Sequence, residues 1–277
     1  MLTRPDLPRR YRAIFVSDLH LGTQRAQTAA FLNFLQATDS EYLYIVGDLI
    51  DSWALQKGWY WSQDHNDVIQ KLLRKARKGT RLIYIPGNHD ENFRDFVGLR
   101  LGSIAVTEEA IHISAKGQRY LVLHGDKLDG VVCFAPWLAK LGDSAYEFSM
   151  SINVVLNRIR RTFRMPYWSL SAYLKNRVKK AVEFVSRYEE AVVREARLQH
   201  CSGVICGHIH TADDREIDGI HYLNDGDWVE SCTALVEHHD GRFEIIRWPT
   251  TAPIATPLKK KRLPTERVQI PITAMLF

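Results

Sequence analysis

No apolar run in the chain approaches the ~20 residues needed to span a bilayer, so an integral membrane protein is not expected. Cysteine is scarce: Cys133, Cys201, Cys206 and Cys232 form no Cys-x-x-Cys pair and lack the density of a disulfide scaffold, which points to reduced, mostly buried thiols. The first dozen residues, Met1 to Arg12, are basic but carry no apolar core and no small-residue cleavage site. A cytoplasmic protein is the expectation. Charge of one sign is nearly balanced, with a formal net of +5, and the 45% hydrophobic and 25% charged content is ordinary for a globular chain. At 277 residues a substantial core is affordable, and a single domain with an insertion is favoured over two small ones.

What is present is a series of five polar patches: Asp18-x-His20, Gly47-Asp48-x-x-Asp51, Gly87-Asn88-His89-Asp90, His124-Gly125-Asp126 and Gly207-His208-x-His210. Each follows at once on a run that reads as a buried strand, over residues 12–17, 42–46, 81–86, 119–123 and 203–206. Taken alone, an Asp-x-His pair or a Gly-Asn-His-Asp turn is a common fragment. Five in order, each at a strand end, predict ligands gathered along one edge of a sheet. The other histidines, His65, His112, His200, His221, His238 and His239, lack such a setting and are read as surface or satisfied structural residues. Cys206 precedes a cluster directly, and a structural place at a strand end is expected for it rather than ligation.

Carboxylates, an amide oxygen and imidazoles together suit borderline divalent ions. Manganese is the first expectation, with Fe²⁺, Co²⁺ and Zn²⁺ also compatible. Two such ions roughly 3.5–4 Å apart can activate water and clamp a phosphoryl group, so the set reads as a two-metal phosphoester hydrolase.

Over roughly residues 12–247 these motifs resemble the calcineurin-like metallophosphoesterases. The resemblance implies that Asp18, His20, Asp48 and His210 hold one ion and Asp48, Asn88, His124 and His208 the other, with Asp48 as the bridge. It further implies that His89 faces the substrate phosphate as a catalytic residue, that Asp90 hydrogen-bonds and orients its imidazole, and that Asp51 and Asp126 support the ligands from behind.

Between the motifs, residues 26–37 and 65–78 carry apolar side chains at helical spacing, as crossover helices would. Residues 203–247 read as short strands with hairpin turns at Asp218-Gly219 and Asp240-Gly241. This α/β pattern suits two packed mixed sheets with helices outside, which is also the αββα sandwich that the resemblance implies. The catalytic core is expected over about 12–130 and 201–248, a helical cap inserted at about 131–200, and a tail over about 249–277 that includes Lys259-Lys260-Lys261-Arg262.

The cap region is read as the seat of substrate choice. From Arg158 to Lys180 it carries Arg158, Arg160, Arg161, Arg164, Lys175, Arg177, Lys179 and Lys180 without an acid, interleaved with aromatic and apolar residues including Trp168. Such a segment can lie on an anionic membrane surface, and equally can be a helix pair packing an apolar stripe on the core.

Within the superfamily the pattern is most similar to the bacterial UDP-2,3-diacylglucosamine hydrolases, on Ser17-Asp18-Leu19-His20-Leu21-Gly22, His124-Gly125-Asp126 with Asp129, and Asn224-Asp225-Gly226-Asp227-Trp228. That resemblance implies cleavage of a lipid-linked sugar nucleotide to UMP and an acylated glucosamine 1-phosphate, in lipid A biosynthesis, at the cytoplasmic face of the inner membrane. One departure stands out. The best established branch has Arg where this chain has His89, and His can serve as a general acid whereas Arg cannot readily do so. A nucleotide or nucleic-acid phosphodiesterase therefore stays open as a second reading, motivated also by the basic charge. A non-catalytic scaffold on the same fold is a third, opposed by the apparently complete ligand set.

Overall fold

Along β1 (Arg9–Val16), Ala13 and Phe15 face one way and Ile14 and Val16 the other, and all four are buried. A strand covered on both faces is the cause of the near-continuous apolar runs in the sequence. The computed structural model describes residues 8–128 and 170–249, with backbone only for 170–181. The candidates Arg158, Arg160, Arg161, Arg164 and Trp168, Cys133, Asp129 and the tail from residue 250 lie outside the described residues.

In chain order the elements are β1, α1 (Thr28–Ala37), β2 (Thr38–Val46), α2 (Ser52–Lys57), α3 (Gln63–Arg77), β3 (Arg81–Ile85), β4 (Arg100–Leu101), β5 (Ile104–Val106), β6 (Ala110–Ile113) and β7 (Arg119–Val122). After the undescribed stretch come α4 (Leu170–Leu198), β8 (Gly203–Cys206), β9 (Asp213–Ile217), β10 (Ile220–Asn224), β11 (Thr233–Glu237) and β12 (Phe243–Arg247). One sheet has the order β12-β11-β1-β2-β3-β5-β4, the other β6-β7-β8-β10-β9. The neighbours β1, β2, β3 and β5 run parallel, as do β7, β8 and β10, while antiparallel strands flank each group.

Three apolar layers follow from the alternation. Phe31, Phe34 and Leu35 of α1 and Val68 and Leu72 of α3 cover Ile14, Val16, Leu43 and Ile45 on the outer face of the first sheet. Phe15, Tyr44, Val46 and Ile85 meet Tyr120, Val122, Ile205 and Leu223 between the sheets. On the far side Tyr188, Val192, Val193 and Ala196 of α4 close over Leu121, Leu123, Val204 and Tyr222. This is the expected αββα sandwich.

Local differences have local causes. Helix α1 passes into β2 without a loop, and the Thr38 hydroxyl donates to the Phe34 carbonyl at 2.7 Å to finish the last turn. Asp218-Gly219 is the tight two-residue turn expected, with φ of 50° and 78° and Ile217 paired to Ile220. Asp240-Gly241 sits instead in a longer loop, because Glu237 is the residue opposite Phe243. Helix α2 was not foreseen. It starts where the Asp51 carboxylate accepts from the Ala54 N–H at 2.7 Å, an N-cap. The histidines set aside are surface or structural residues where described: His65 closes the capping box of α3, His238 lies 2.7 Å from Glu244, and His200 and His239 are exposed. Cys201, Cys206 and Cys232 are buried free thiols.

Candidate metal centre

The five polar patches meet, though not along one edge of one sheet as expected. They gather at the carboxyl ends of parallel strands drawn from both sheets, β1, β2 and β3 in one and β7 and β8 in the other. There the chain turns sharply. Asp18, His20, Asp48, His208 and His210 all adopt left-handed backbone, with φ between 49° and 70°, a region in which Asp and His are tolerated better than most residues. Main-chain bonds fix the turns: Asp18 N–H donates to the Gly47 carbonyl at 3.2 Å and His20 N–H to that of Asp48 at 2.9 Å. The His89 N–H donates to Asp48 Oδ1 at 2.9 Å and the His208 N–H to Asp18 Oδ2 at 3.0 Å. Gly87 is required by close approach, since a Cβ there would run into the Asp48 carboxylate and the His124 ring.

Ligand atoms of Asp18, His20 and His210 lie within 4.8 Å of one another, as do those of Asp18, Asp48 and His124, and those of His20, Asp51 and His89. Asp18 Oδ1 is 3.0 Å from His210 Nε2 and 3.7 Å from His20 Nε2. Asp48 Oδ2 stands between the two halves, 3.8 Å from His20 Nε2 and 3.6 Å from His124 Nε2. Neighbouring ligands of an ion bound at 2.0–2.2 Å stand roughly 2.8–3.6 Å apart by simple tetrahedral or octahedral geometry; the 3.0 and 3.6 Å spacings fall in that range and the 3.7 and 3.8 Å ones just beyond it. His208 packs its ring on His124 with centroids 5.0 Å apart.

Among the buried atoms here that make no hydrogen bond are Asp18 Oδ1, His20 Nε2, Asn88 Oδ1 and His124 Nε2. His124 Nδ1 is 2.7 Å from the Val46 carbonyl and so must carry its proton there, which leaves Nε2 as a lone pair. In the same way His20 Nδ1 is committed to Asp51 Oδ2 at 3.2 Å. The residues present therefore fit divalent cations: with both imidazoles neutral the orphaned atoms are acceptors, and Asp18 stands in one cluster of ligand atoms with His20 and in another with His124.

Electrostatics divide the carboxyl groups into two kinds. Burial raises the pKa values of Asp18 and Asp48, but His210 and His20 at the first and His124 at the second outweigh it and hold both below the usual range. Asp51 is likewise lowered, burial being overcome by hydrogen bonds from His20, His89 and the Ala54 N–H. Burial opposes charge on His20, but Asp18 and Asp51 overcome it and push its pKa up to about 10; His124 is raised by Asp48 in the same way, so the carboxylates favour positive charge at both imidazoles, which a bound cation supplies in place of a proton. Asp90 and Asp225 are the opposite kind. Burial and the charges of Asp48 and Asp18 respectively push them up.

Asp90 does not orient His89 as expected. Its Oδ2 accepts from Leu49 N–H at 2.8 Å, Ile50 N–H at 3.3 Å and the Tyr84 hydroxyl at 2.6 Å, and its Oδ1 from Gly87 N–H at 2.6 Å. It pins the loops after β2 and β3 to each other. The carboxylate beside His89 Nδ1, at 3.2 Å, belongs to Asp51, which thus touches both His20 and His89. Adjacency in sequence misled, because the turn at His89 carries its ring toward the loop after β2. Asp126 pairs with Arg94 at 2.5 Å, and Arg94 also reaches the Pro86 carbonyl at 3.4 Å, so it braces the loops rather than a ligand directly.

Three contributors escaped the sequence reading. Trp53 lies against His89 with ring centroids 4.3 Å apart. Ser17 Oγ sits 2.5 Å from Asp18 Oδ2, 2.6 Å from Asp225 Oδ1 and 3.0 Å from the Gly226 carbonyl. One hydroxyl has one proton to give, so Ser17 links Asp18 and Asp225 but cannot donate to all three acceptors at once. Tyr188 places its hydroxyl 3.1 Å from the His124 carbonyl and 3.2 Å from that of Gly207. The Asn224-to-Trp228 stretch was noted only as a pattern, and Tyr188 carried no signal beyond a helical apolar position.

A profile of the calcineurin-like phosphoesterase family matches residues 11–212. The chain belongs to that family, and is a metal-dependent phosphoesterase. Among curated relatives, the UDP-2,3-diacylglucosamine hydrolase of Klebsiella pneumoniae is 28% identical over 71% of this chain and 81% of its own length. The protein of that name from a Shewanella species is 24% identical over 83% of this chain and 95% of its own. A crystal structure of a hypothetical protein from Pyrococcus horikoshii aligns with 86% of this chain and 87% of its own, at 11% identity and a TM-score of 0.46.

Proposed function

We propose that the enzyme hydrolyses UDP-2,3-diacylglucosamine to UMP and 2,3-diacylglucosamine 1-phosphate, a step of lipid A biosynthesis. The two-metal chemistry is supported by the buried atoms at the strand ends that no hydrogen bond satisfies, Asp18 Oδ1, His20 Nε2, Asn88 Oδ1 and His124 Nε2 among them. The substrate is supported by the relatives' names over most of the chain. Asp18, His20, Asp48 and His210 hold one ion, and Asp48, Asn88, His124 and His208 the second, with Asp48 shared. Manganese is the first choice for both. When bound, such a pair supplies positive charge to the phosphoryl oxygens and a nucleophile at neutral pH.

The chain's own residues do the rest. His20 and His124 present Nε2 because Asp51 and the Val46 carbonyl hold their Nδ1 protons. His89, held by Asp51 and packed on Trp53, turns its other nitrogen to the phosphate and donates a hydrogen bond or proton to the leaving oxygen. Water attacks the α-phosphorus, the bond to the bridging oxygen breaks, and the sugar phosphate leaves. The basic and aromatic residues between Arg158 and Trp168 meet the lipid or the anionic cytoplasmic face of the inner membrane. No helix among the described residues is long and apolar enough to cross a membrane.

His89 itself favours a second reading. A phosphate is a good leaving group without protonation, whereas an alkoxide needs a proton, and the His89–Asp51 pair at 3.2 Å is built to give one. That suits a nucleotide or nucleic-acid phosphodiester. Release of UMP from UDP-2,3-diacylglucosamine by Mn²⁺-loaded protein in mild detergent, beside a panel of nucleotide diesters, decides between them. Fast release that His89→Ala slows little supports the lipid pyrophosphate. Slow release, with cleavage of an alkyl diester that collapses in His89→Ala, moves the substrate to the second class.

A further inference from the structure

We propose that Tyr188 is a positioning residue that sets the spacing of His124 and His208 and thereby the affinity of the second ion. The inference rests on the ligand assignment above. Strands β7 and β8 run side by side with Val122 opposite Ile205, and the Leu123 N–H still donates to the Ile205 carbonyl at 3.1 Å. Past that bond the two segments carry His124 and His208 away from the sheet.

Tyr188 joins them there. Its single hydroxyl proton is shared between the carbonyls of His124 and Gly207, the latter one residue before His208. The phenol ring also packs on His208, with centroids 5.8 Å apart, and His208 in turn on His124. Gly125, at φ +105°, leaves the slot: a Cβ there would collide with the Tyr188 hydroxyl.

The support behind the phenol is rigid. Tyr188 is 1% exposed and shares a buried helix face with Val192, Val193 and Ala196 of α4. His124 is fixed at its other end, since its ring donates to Val46 across the sandwich. Two imidazoles on separate strands can share one ion only if their spacing is held to about half an ångström. A tyrosine reaching both backbones from one helix supplies that constraint, and it touches neither the ion nor the substrate.

The test is a Mn²⁺ titration of metal-free wild type, Tyr188→Phe and Tyr222→Phe. It is followed by calorimetry and by electron paramagnetic resonance, with bis(p-nitrophenyl) phosphate as the turnover probe. Tyr222→Phe removes another buried hydroxyl from the same layer, one that meets the Asn224 amide at 3.4 Å and the Cys206 thiol. In Tyr188→Phe, affinity for one of the two ions should fall about tenfold or more, the usual effect of losing a group that orients a metal ligand. The coupled two-ion spectrum should give way to a single-ion one at equal loading. The fall in kcat should be recovered by excess Mn²⁺, with KM little changed. Tyr222→Phe should keep the wild-type ratio of affinities.

Tyr188→Phe that binds both ions as wild type does, or loses both equally, overturns the proposal. So does the same selective loss in Tyr222→Phe, or a metal-free Tyr188→Phe already unfolded at assay temperature, since either would make the role merely structural. A wild type that takes up one ion only refutes the two-ion assignment itself, and this inference with it.

Discussion

Between the sheets, Glu237 accepts from Arg12 at 2.5 Å and from the Ala115 N–H at 2.6 Å, and lies 2.8 Å from His112 Nε2; His112 Nδ1 in turn meets the Tyr44 hydroxyl at 3.1 Å. At the strand ends, Asp18 Oδ1, His20 Nε2, Asn88 Oδ1 and His124 Nε2 have no such partner. Both clusters are buried and both mix carboxylate with imidazole. The first alternates donors with acceptors and is complete in itself. The second, with its imidazoles neutral, sets acceptors against acceptors, an arrangement that is costly in a protein interior unless a cation, proton or metal, fills it. Burial of polar groups is thus not itself a mark of function; the imbalance of donors and acceptors is.

The contrast can be broken experimentally, and the largest effect is expected from Asp48→Ala. Turnover should fall by at least about a hundredfold, in the range seen when a group stabilising transition-state charge is lost, and Mn²⁺ should no longer bind as a pair in calorimetry. Near-normal activity with two ions bound would remove Asp48 from the centre. His89→Ala should keep both ions while slowing an alkyl diester by about 10²- to 10⁴-fold; loss of the ions would show that His89 is a ligand instead.

In the closed network the readout is stability. Glu237→Ala strands His112 and Arg12, and should lower the free energy of unfolding by about 3 kcal/mol, the lower end for a broken buried pair because Arg12 is partly exposed. Urea unfolding checks it. Saturating Mn²⁺ at a hundred times its dissociation constant should add about 2.7 kcal/mol per ion to wild type and to Glu237→Ala alike. Absence of that gain in Asp48→Ala, measured in the same titration, separates the two clusters.

The smallest effect is in pH. Burial raises the Glu237 pKa, but the hydrogen bonds from His112, Ala115 and Arg12 outweigh it and hold the carboxyl below its ordinary 4.5. A depressed carboxylate contributes stability that is full above its unfolded pKa and is lost as pH falls through the folded one. The stability gap between wild type and Glu237→Gln should therefore be widest above about pH 5 and close on acidification below 4.5. A gap that widens in acid would reverse the sign assigned to this group.

The order of strand, turn and polar patch was legible in the sequence because β1, β2, β3, β7 and β8 are covered on both faces and stop where the ligands begin. The tight turn at Asp218-Gly219 was equally plain, since left-handed backbone selects those residues. What stayed hidden depends on spatial neighbours. Asp51 rather than Asp90 meets His89, a choice made by the direction of one turn. Tyr188 reads as one more apolar helix position, and its hydroxyl acquires meaning only where α4 crosses the ends of β7 and β8. The raised pKa of Asp225 comes from its burial beside Asp18 across the Ser17 hydroxyl, which no spacing rule contains.

The left-handed turns at Asp18, His20, Asp48, His208 and His210 also bear on how such a chain drifts. For a residue with a side chain this conformation carries a penalty of about 1 kcal/mol or more, which glycine escapes. A lineage released from hydrolysis would gain stability by letting glycine or asparagine settle at these turns.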